Sequence, residues 1–375
     1  MHATHGYVRL VLVVLILALI AVLAGMTLSQ AIRMATAPDV PDTADSTGWG
    51  VSTLVSGLEI PWALAVLPDG SMLITERPGR IRYYDAVEGL REEPLLTLPQ
   101  VEHRGEGGLL GITIHPSFES APYVYVYYTY LNQSALTNRV SRFTLNGLHM
   151  VDAEIILDGI PGASIHNGGR IRFGPDGYLY VTTGDAAHPE LSQSPQSLAG
   201  KILRVTDDGG IPADNPFPGS PVYSLGHRNP QGLAWDSRGQ LWATEHGARA
   251  TDELNLIQPG LNYGWPVITG DQTMSGLEAP MLHSGRETWA PSGMAYLDGY
   301  LYFSGLRGQS LYRVDSENDI TIQRQLHGEF GRLREVVSGP GGTLYLLTSN
   351  RDGRGSPVAD DDRLIQVTLP GVSDS

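Results

Sequence analysis

The chain has 375 residues, of which 41% are hydrophobic and 17% charged, a composition typical of a globular protein with a sizeable core. Its formal net charge of −15 argues against nucleic acid or an anionic membrane surface as a partner of the folded part. Because cysteine is absent, disulfides, thiolate catalysis and cysteine-bound zinc are excluded.

The N-terminal segment is apolar. The run LVLVVLILALIAVLA fills residues 10–24 directly after Arg9, and with its extension it approaches the roughly 20 residues that cross a bilayer. Ser29-Gln30-Ala31 also resembles a small-residue cleavage site. We therefore predict that residues 1–33 form a membrane anchor or a signal peptide and that residues 34–50 form a polar linker. Either alternative exports the remainder to the cell envelope, in the periplasm or on the outer face of the membrane.

One short unit recurs along the rest of the chain. An apolar or aromatic residue precedes a tight turn that ends in glycine, and a strand of alternating apolar and small residues follows. Five copies have this form: 67–85, 173–185, 235–247, 296–314 and 338–350, and a sixth with a longer loop fills 114–131. Further strands are predicted at 81–84, 139–144, 202–205, 254–257, 311–314 and 364–367.

Six such copies predict an all-β fold, a six-bladed β-propeller over residues 51–370, with a short tail at 371–375. A blade cannot bury both of its faces alone, so the blades stack around a central channel. Val51–Val55 is predicted to pair with the last blade and close the ring, which removes the open sheet edges. The alternative of two β-sandwiches is disfavoured because the turn motif persists through the whole chain.

Four segments contain residues that the fold does not require: EGGLLGITIHP (106–116), the stretch from Ala163 to Asp185, YSLGHRNPQGLAWD (223–236) and GRLREVVSGPGG (331–342). Each has a structural explanation, since His166 could be a hydrogen-bonded loop residue and Arg228 could tie neighbouring blades together. Arg332 and Arg334 share the i, i+2 spacing that sends two strand side chains to one face, where they could form ion pairs. Together, a base that titrates near neutrality and several arginines suggest a site for a planar polyanion.

These segments resemble the soluble PQQ-dependent sugar dehydrogenases, the glucose and aldose sugar dehydrogenase group, whose fold is a six-bladed propeller. The resemblance runs from about residue 50 to residue 368. It is carried by GGRIRFGPDGYLYVTTGD, GKILRV, GIPADNPF, GHRNPQGLAWD, DELNLI and NYGWP.

The resemblance implies a catalytic set. His166 falls where the family has the general base that takes the sugar hydroxyl proton while hydride moves to PQQ, and histidine suits this role because it titrates near neutrality. Asp185 falls where a carboxylate orients that imidazole, although a strand-end cap is an equally plausible role for it. Arg228 would face the quinone oxygen that gathers negative charge, and Asn229 would share the same oxygens.

The resemblance also implies cofactor, metal and substrate contacts. PQQ would be held by Arg228, Asn229, Thr288, Arg307, Arg332 and Arg334, with Arg307 standing where the family commonly has lysine. Calcium would be held by the carbonyls of Gly247 and Ala248 together with the cofactor, and a second ion by the Glu253 carboxylate and the Tyr263 carbonyl. Asp252 and Glu253 could instead form a solvated acidic pair. Glu106 falls at a substrate-contacting position that is often glutamine.

The function that the resemblance implies is oxidation of aldoses to lactones by a quinoprotein, with electrons passing to an acceptor outside the cytoplasm, a quinone or a cytochrome. The long loop insertions of glucose-specific members are absent, which places the chain nearer the broad-specificity aldose branch. Two alternatives remain at this stage. One is a non-catalytic propeller that binds a protein or glycan, and the other is a calcium-dependent lactone hydrolase.

Overall fold

The computed structural model describes residues 48–318 and 320–369. The predicted anchor or signal peptide (1–33), most of the predicted linker and the predicted tail (371–375) lie outside the described residues. Within the described ranges, no helix is long and apolar enough to cross a membrane.

In the described ranges, twenty-five strands form six antiparallel sheets, which are the six predicted blades. The first described strand is β1 (Gly50–Val55), which precedes blade 1. Blades 1–3 contain β2 (Pro61–Val66), β3 (Met72–Glu76), β4 (Arg80–Asp85), β5 (Gly89–Leu90) and β6 (Leu96–Thr97); β7 (Leu109–Ile114), β8 (Tyr123–Asn132), β9 (Ala135–Asn146) and β10 (His149–Pro161); β11 (Ile171–Phe173), β12 (Leu179–Thr183), β13 (Lys201–Val205) and β14 (Val222–Leu225). Blades 4–6 contain β15 (Pro230–Trp235), β16 (Leu241–Glu245), β17 (Glu253–Ile257) and β18 (Leu282–His283); β19 (Pro291–Leu297), β20 (Tyr300–Gly305), β21 (Ser310–Asp315) and β22 (Thr321–Gln325); β23 (Leu333–Gly339), β24 (Thr343–Thr348) and β25 (Leu364–Thr368). The one helix in the described ranges is a 3-10 turn at Pro189–Gln193.

The repeated turn joins the first and second strands of each blade. In blade 3, for example, Phe173 pairs with Leu179 across a turn in which Gly177 has φ +79°, a left-handed conformation that glycine adopts without strain. The strand predicted after each copy is the third strand of its blade, namely β4, β9, β13, β17, β21 or β25. The turn chemistry therefore predicted the blade order correctly.

The ring closes as predicted. Strand β1 is the outermost strand of blade 6, and Val51 pairs with Val367 of β25. The predicted linker ends inside this strand, because β1 begins at Gly50. Closure pairs the first described strand with the last one, so blade 6 is completed by the strand that precedes blade 1.

Neighbouring blades are joined by equivalent hydrogen bonds near the channel. The hydroxyl of Thr75 in blade 1 donates to the carbonyl of Leu110 in blade 2 at 2.6 Å, and the hydroxyl of Thr244 in blade 4 donates to the carbonyl of Ser292 in blade 5 at 3.1 Å. Both threonines occupy the same position of the repeat. These bonds satisfy polar groups that the contact between blades buries.

An ion pair lies on the channel axis. The guanidinium of Arg170 on one side of the ring pairs with the carboxylate of Glu335, and both side chains are almost completely buried. The Arg170 Nε donates to the Gln231 carbonyl at 2.8 Å, and its guanidinium stacks 4.4 Å from the ring centre of Trp62. Burial lowers the pKa of Arg170 to about 10, and the nearby Glu335 carboxylate opposes that change.

The close packing around Glu335 leads to a prediction for Gly293. A Cβ atom at this position would lie 2.9 Å from the Glu335 Cα and would collide with its carboxylate. Gly293→Ala should therefore lower the free energy of unfolding by about 1–3 kcal/mol, as overpacking does in other cores. Urea denaturation measures this change. Gly50→Ala is the control, because its Cβ would make an ordinary 3.6 Å contact with Thr368, and equal losses in the two variants would contradict the packing argument.

Candidate active site

The candidate site lies at the end of the propeller where the first strand of each blade begins. The loops that enter β7, β11 and β15 carry Glu106, His166 and Arg228. A cleft on the axis at this end, here called the axial cleft, is lined by Trp62, Arg77, Gly105, Glu106, Gln231, His246, Leu306, Arg334, Asp352 and Arg354. Residues from five of the six blades therefore converge on one concave surface.

His166 and Asp185 form a close pair. The His166 Nδ1 lies 2.7 Å from the Asp185 Oδ1, and Asp185 is fully buried. Because an ionised carboxylate can only accept, Nδ1 carries the hydrogen and Nε2 of the neutral imidazole is left as an acceptor. The backbone of His166 has φ +59°, a left-handed conformation that is uncommon for a residue with a side chain and is concentrated at functional sites.

Asp185 also has the structural role left open by the sequence. Its Oδ1 accepts the backbone N–H of Ala187 at 2.8 Å, and its own N–H donates to the Arg228 carbonyl at 2.8 Å. The capping role and the orienting role therefore coexist. The backbone bond also fixes the loop of blade 3 against the loop that carries Arg228.

Glu106 connects His166 to blade 6. Its Oε2 accepts the His166 N–H at 2.9 Å, and its Oε1 accepts from the Arg354 Nη1 at 2.8 Å. Burial alone would raise the pKa of Glu106, but these two donors lower it to about 2. Glu106 is therefore an anion at the edge of the axial cleft, next to the loop that carries the imidazole.

Arg228 lies near several carboxylates but forms no direct ion pair with any of the described residues. Its Nη1 donates to the His246 carbonyl at 3.3 Å, while its Nε is buried with no hydrogen-bond partner among the described residues. Burial lowers its pKa, and the negative charges of Asp185, Glu245 and Glu106 oppose that change. An anion placed at this guanidinium would satisfy an unpaired donor.

Asn229 makes a structural contact. Its Oδ1 accepts the N–H of Gly168 at 2.9 Å, and the residue is buried. This bond holds the loop behind His166 against the entry to β15. The amide oxygen is therefore already engaged in the structure described.

Arg332, which directly precedes β23, and Arg334 within β23 reach the same carboxylate, so the ion pairs offered as their structural explanation are present. Asp352 lies 2.8 Å from the Arg332 Nη2 and 3.9 Å from the Arg334 Nη2. The Arg334 Nη1 also donates to the Gln231 Oε1 at 2.8 Å. Burial lowers the pKa of Arg334 to about 9, against the opposing charge of Asp352. Both guanidinium groups are therefore held in place by contacts with the protein.

Two of the predicted cofactor contacts, Thr288 and Arg307, form no hydrogen bond or ion pair with the other predicted site residues in the described structure. The hydroxyl of Thr288 donates to the Arg249 carbonyl at 3.2 Å. Arg307 is exposed in the loop between β20 and β21, beside Leu306, which lines the axial cleft. The structure thus places Arg307 next to a cleft residue without bonding its side chain to any of the described residues.

The residues proposed for the first calcium ion lie in the loop after β16. The N–H of Gly247 donates to the Asp252 Oδ1 at 2.8 Å, and Ala248 is exposed. Among the described residues, no backbone N–H donates to the carbonyl of Gly247 or Ala248. These two oxygens are neutral ligands of the type that calcium accepts.

Asp252 and Glu253 are both buried, so the alternative of a solvated acidic pair is wrong. Asp252 accepts the N–H groups of Gly247 and Ala290, and it fixes the loop between them. Glu253 pairs with Glu245 across β16 and β17, and burial together with the Glu245 charge raises its pKa well above the usual value.

Tyr263 is buried nearby, with its hydroxyl donating to the Leu256 carbonyl at 2.6 Å and its ring stacked on His227. The side chain is therefore satisfied, and its carbonyl receives no hydrogen bond among the described residues. The described residues contain no group of three or more His, Asp or Glu side chains that could hold a metal ion. A calcium site here would accordingly need main-chain oxygens.

Several residues of the axial cleft were not singled out from the sequence. Arg77, His246 and Leu306 each directly follow the second strand of a blade, at the same position of the repeat. Aligning the six copies residue by residue would have identified this position. Asp352, which binds Arg332, follows the second strand of blade 6 at a slightly greater distance.

Buried polar atoms without partners lie in and beside the axial cleft. In the described structure, the Nε donors of Arg77 and Arg334 in the cleft and of Arg228 outside its lining have no hydrogen-bond partner, and neither does the Nε2 atom of His246. Burial lowers the pKa of His246 to about 4, so this imidazole is neutral at pH 7. Planar guanidinium groups that keep an unpaired N–H donor favour a planar ligand with carboxylates.

Comparisons with known proteins agree on one family. Residues 58–359 match the family described as Glucose / Sorbosone dehydrogenase. The aldose sugar dehydrogenase of Escherichia coli strain K12 is 33% identical over 337 residues, which cover 81% of this chain and 91% of that protein. Quinoprotein glucose dehydrogenase B of Acinetobacter calcoaceticus is 34% identical over 297 residues, which cover 69% of this chain and 62% of that protein. The structure of the PQQ-bound aldose sugar dehydrogenase of Streptomyces coelicolor superposes with a TM-score of 0.81 at 42% identity, covering 88% of this chain and 99% of that one.

The low pKa of Glu106 gives a pH prediction. Because the folded-state pKa of about 2 lies below the usual 4.5, the unfolded chain binds more protons than the folded protein between about pH 2 and pH 4.5. The anion therefore stabilises the fold above about pH 4.5, and that contribution is lost as the pH falls towards 2. Glu106→Gln should lower the free energy of unfolding at pH 7 by about 1–3 kcal/mol and weaken its pH dependence between pH 2 and 4.5.

Urea denaturation at a series of pH values measures both effects. Arg354→Gln removes one of the two donors to Glu106, so this variant should lose only part of the stability. If the free energy of unfolding of Glu106→Gln had the same pH dependence as that of the wild type, the conclusion that Glu106 is an anion in the folded protein would be contradicted.

Proposed function

The chain belongs to the glucose/sorbosone dehydrogenase family, and on that premise we propose that it is a PQQ-dependent aldose sugar dehydrogenase that oxidises the anomeric hydroxyl to a lactone. The observation that carries this proposal is the His166–Asp185 pair beside Arg228, three side chains from adjacent blades that one end of the propeller brings together. The family match over residues 58–359 confirms the resemblance stated from the sequence, at the level of the family.

The described residues fit PQQ, a planar molecule with three carboxylates. Arg77, Arg228 and Arg334 present buried Nε donors without partners, and Arg332 lies beside Arg334 on the same carboxylate. An anionic ligand would satisfy these donors and offset the cost of burying their charges. We assign Arg228, Asn229, Thr288, Arg307, Arg332 and Arg334 to cofactor binding as the family pattern implies. When bound, PQQ supplies the acceptor for the hydride of the sugar.

His166 would act as the general base. The free Nε2 takes the proton of the anomeric hydroxyl, while Asp185 holds the Nδ1–H and stabilises the imidazolium that results. Arg228 stabilises negative charge that develops across the site, and its incomplete hydrogen bonding leaves it free to do so. Glu106, whose Oε2 accepts the His166 N–H at an N···O distance of 2.9 Å, would accept a hydrogen bond from a sugar hydroxyl.

We propose calcium as the second cofactor. The free carbonyls of Gly247 and Ala248 would hold one ion next to the cofactor. The buried carboxylate of Glu253 beside Glu245, together with the Tyr263 carbonyl, would hold a second, because a cation there would neutralise two adjacent carboxylates. These donors are all oxygens, which is the chemistry that calcium prefers.

The remaining assignments concern the place of the protein in the cell. We propose that the chain is exported, through its N-terminal segment as anchor or signal, and that a quinone or a cytochrome outside the cytoplasm accepts the electrons. A lactone hydrolase would require several carboxylate ligands free to converge on one ion, whereas Glu335, Asp352 and Glu106 each bind an arginine. A passive binding module gives no reason for the unpaired guanidinium groups.

The proposal predicts the behaviour of His166→Ala. After the protein is loaded with PQQ and calcium, sugar-dependent reduction of a redox dye should fall by about 10²–10⁴-fold, because the general base is missing. PQQ binding, followed by its absorbance, should survive. His188→Ala is the control, since the His188 side chain is 67% exposed and bonds only to Glu190.

Two results would overturn the proposal. Dye reduction that persists in His166→Ala removes this residue from the base role. The absence of turnover with every aldose in the loaded wild-type protein removes the sugar dehydrogenase itself.

A further inference from the structure

The indole of Trp265 lies between the two loops that carry the proposed catalytic groups. Its Nε1 donates to the Asp185 Oδ2 at 2.9 Å, and the Arg228 guanidinium lies 5.3 Å from its ring centre. One side chain therefore contacts the carboxylate behind the base and the arginine beside it. The second contact is within the range of a cation–π interaction.

The backbone of Trp265 is fixed on both sides. Its N–H donates to the Gly226 carbonyl at 2.9 Å, just before the loop that contains Arg228. Its carbonyl accepts from the Gln193 Nε2 at 2.6 Å, which ties it to the 3-10 turn after Asp185. The indole is thus held by the same two loops that it bridges.

The hydrogen bond from Trp265 completes the set of hydrogen bonds that the Asp185 carboxylate accepts. The Oδ1 atom accepts from His166 Nδ1 at 2.7 Å and from the Ala187 N–H at 2.8 Å, whereas Trp265 is the one partner of Oδ2 among the described residues. Without this donor, a fully buried oxygen would be unsatisfied and the carboxylate could rotate about its Cβ–Cγ bond. Rotation would carry the imidazole of His166 with it.

We propose that Trp265 is a positioning residue for the reaction. Its N–H locks the orientation of Asp185 and thereby of the His166 imidazole, and its ring supports the guanidinium of Arg228. The inference rests on the proposed roles of His166 and Arg228. Trp265 would then contribute to the reaction only by positioning neighbouring side chains.

Trp265→Phe isolates the hydrogen bond, because it removes the N–H and keeps an aromatic ring. In the protein without cofactor, NMR of the His166 Nδ1–H proton should show a changed chemical shift and faster exchange with water. Trp235→Phe is the matched control, since Trp235 packs its ring against Tyr180 at 5.1 Å and makes no bond to the site. A His166 signal that is identical in wild type, Trp265→Phe and Trp235→Phe would overturn the proposal.

A reciprocal measurement covers the case in which Trp265→Phe does not fold. Asp185→Asn keeps Trp265 and alters its acceptor, so the indole N–H signal of Trp265 should move. The five other tryptophans provide internal references in the same spectrum. An unmoved Trp265 signal would contradict the hydrogen bond on which the proposal depends.

The loaded enzyme gives the kinetic test. A hydrogen bond to a charged group is worth about 1.5–3 kcal/mol, so Trp265→Phe should lower kcat by about 10–100-fold. KM for the aldose should change by less than about twofold, because the indole does not need to touch the sugar in order to position the base. An unchanged kcat, or a loss expressed only in KM, would contradict positioning. If the wild-type protein oxidises no sugar, the proposed function fails, whereas the two NMR measurements still decide whether Trp265 orders the His166–Asp185 pair.

Discussion

The burial of guanidinium groups near the propeller axis is the constraint on which the rest of this structure depends. Six inner strands bring Arg170 and Arg334 into a region from which water is largely excluded, and burial lowers the pKa of both arginines to about 10 and about 9 respectively. The charge of Arg170 is balanced by a direct pair with Glu335. Arg334 donates to the neutral side chain of Gln231, and its nearest carboxylate, that of Asp352, lies 3.9 Å from its Nη2. Arg170 therefore has a close counter-ion, whereas Arg334 has room for a closer contact with an anion.

Buried charges held by hydrogen bonds also surround His166 and Arg228. The carboxylates of Asp185 and Glu106 are held by donors from other loops, so their negative charge is fixed in position and is not free to neutralise Arg228. Charges that are held apart in this way form a preorganised field, which is the arrangement that stabilises developing charge most effectively. The mechanism proposed for His166 depends on this separation.

The fold and part of the site could be predicted from the sequence because a turn motif determines which residues of the two adjoining strands lie opposite each other. The turn at Asp176 is the centre of the β11–β12 hairpin, and His166 and Asp185 lie almost equally far from it, so strand pairing brings them together. The same geometry brings Asp352 to Arg332 across the β23–β24 hairpin. Trp265 could not be placed in this way, because it lies in a long irregular segment between β17 and β18 where no pairing register fixes its position. The calcium ligands could not be derived from the residues alone either, because every residue has a main-chain carbonyl and the amino-acid type does not show which carbonyls bind a metal.

The central claim is that the guanidinium groups with unpaired Nε donors form a site for a planar polycarboxylate. A calorimetric titration of the purified protein with PQQ in the presence of calcium tests it most directly. The account predicts saturable binding of one PQQ per chain, with an affinity that falls by at least about tenfold in Arg334→Gln, because one charge-assisted contact to a buried ligand is lost. The absence of saturable binding, or an affinity that is unchanged in Arg334→Gln, would contradict it.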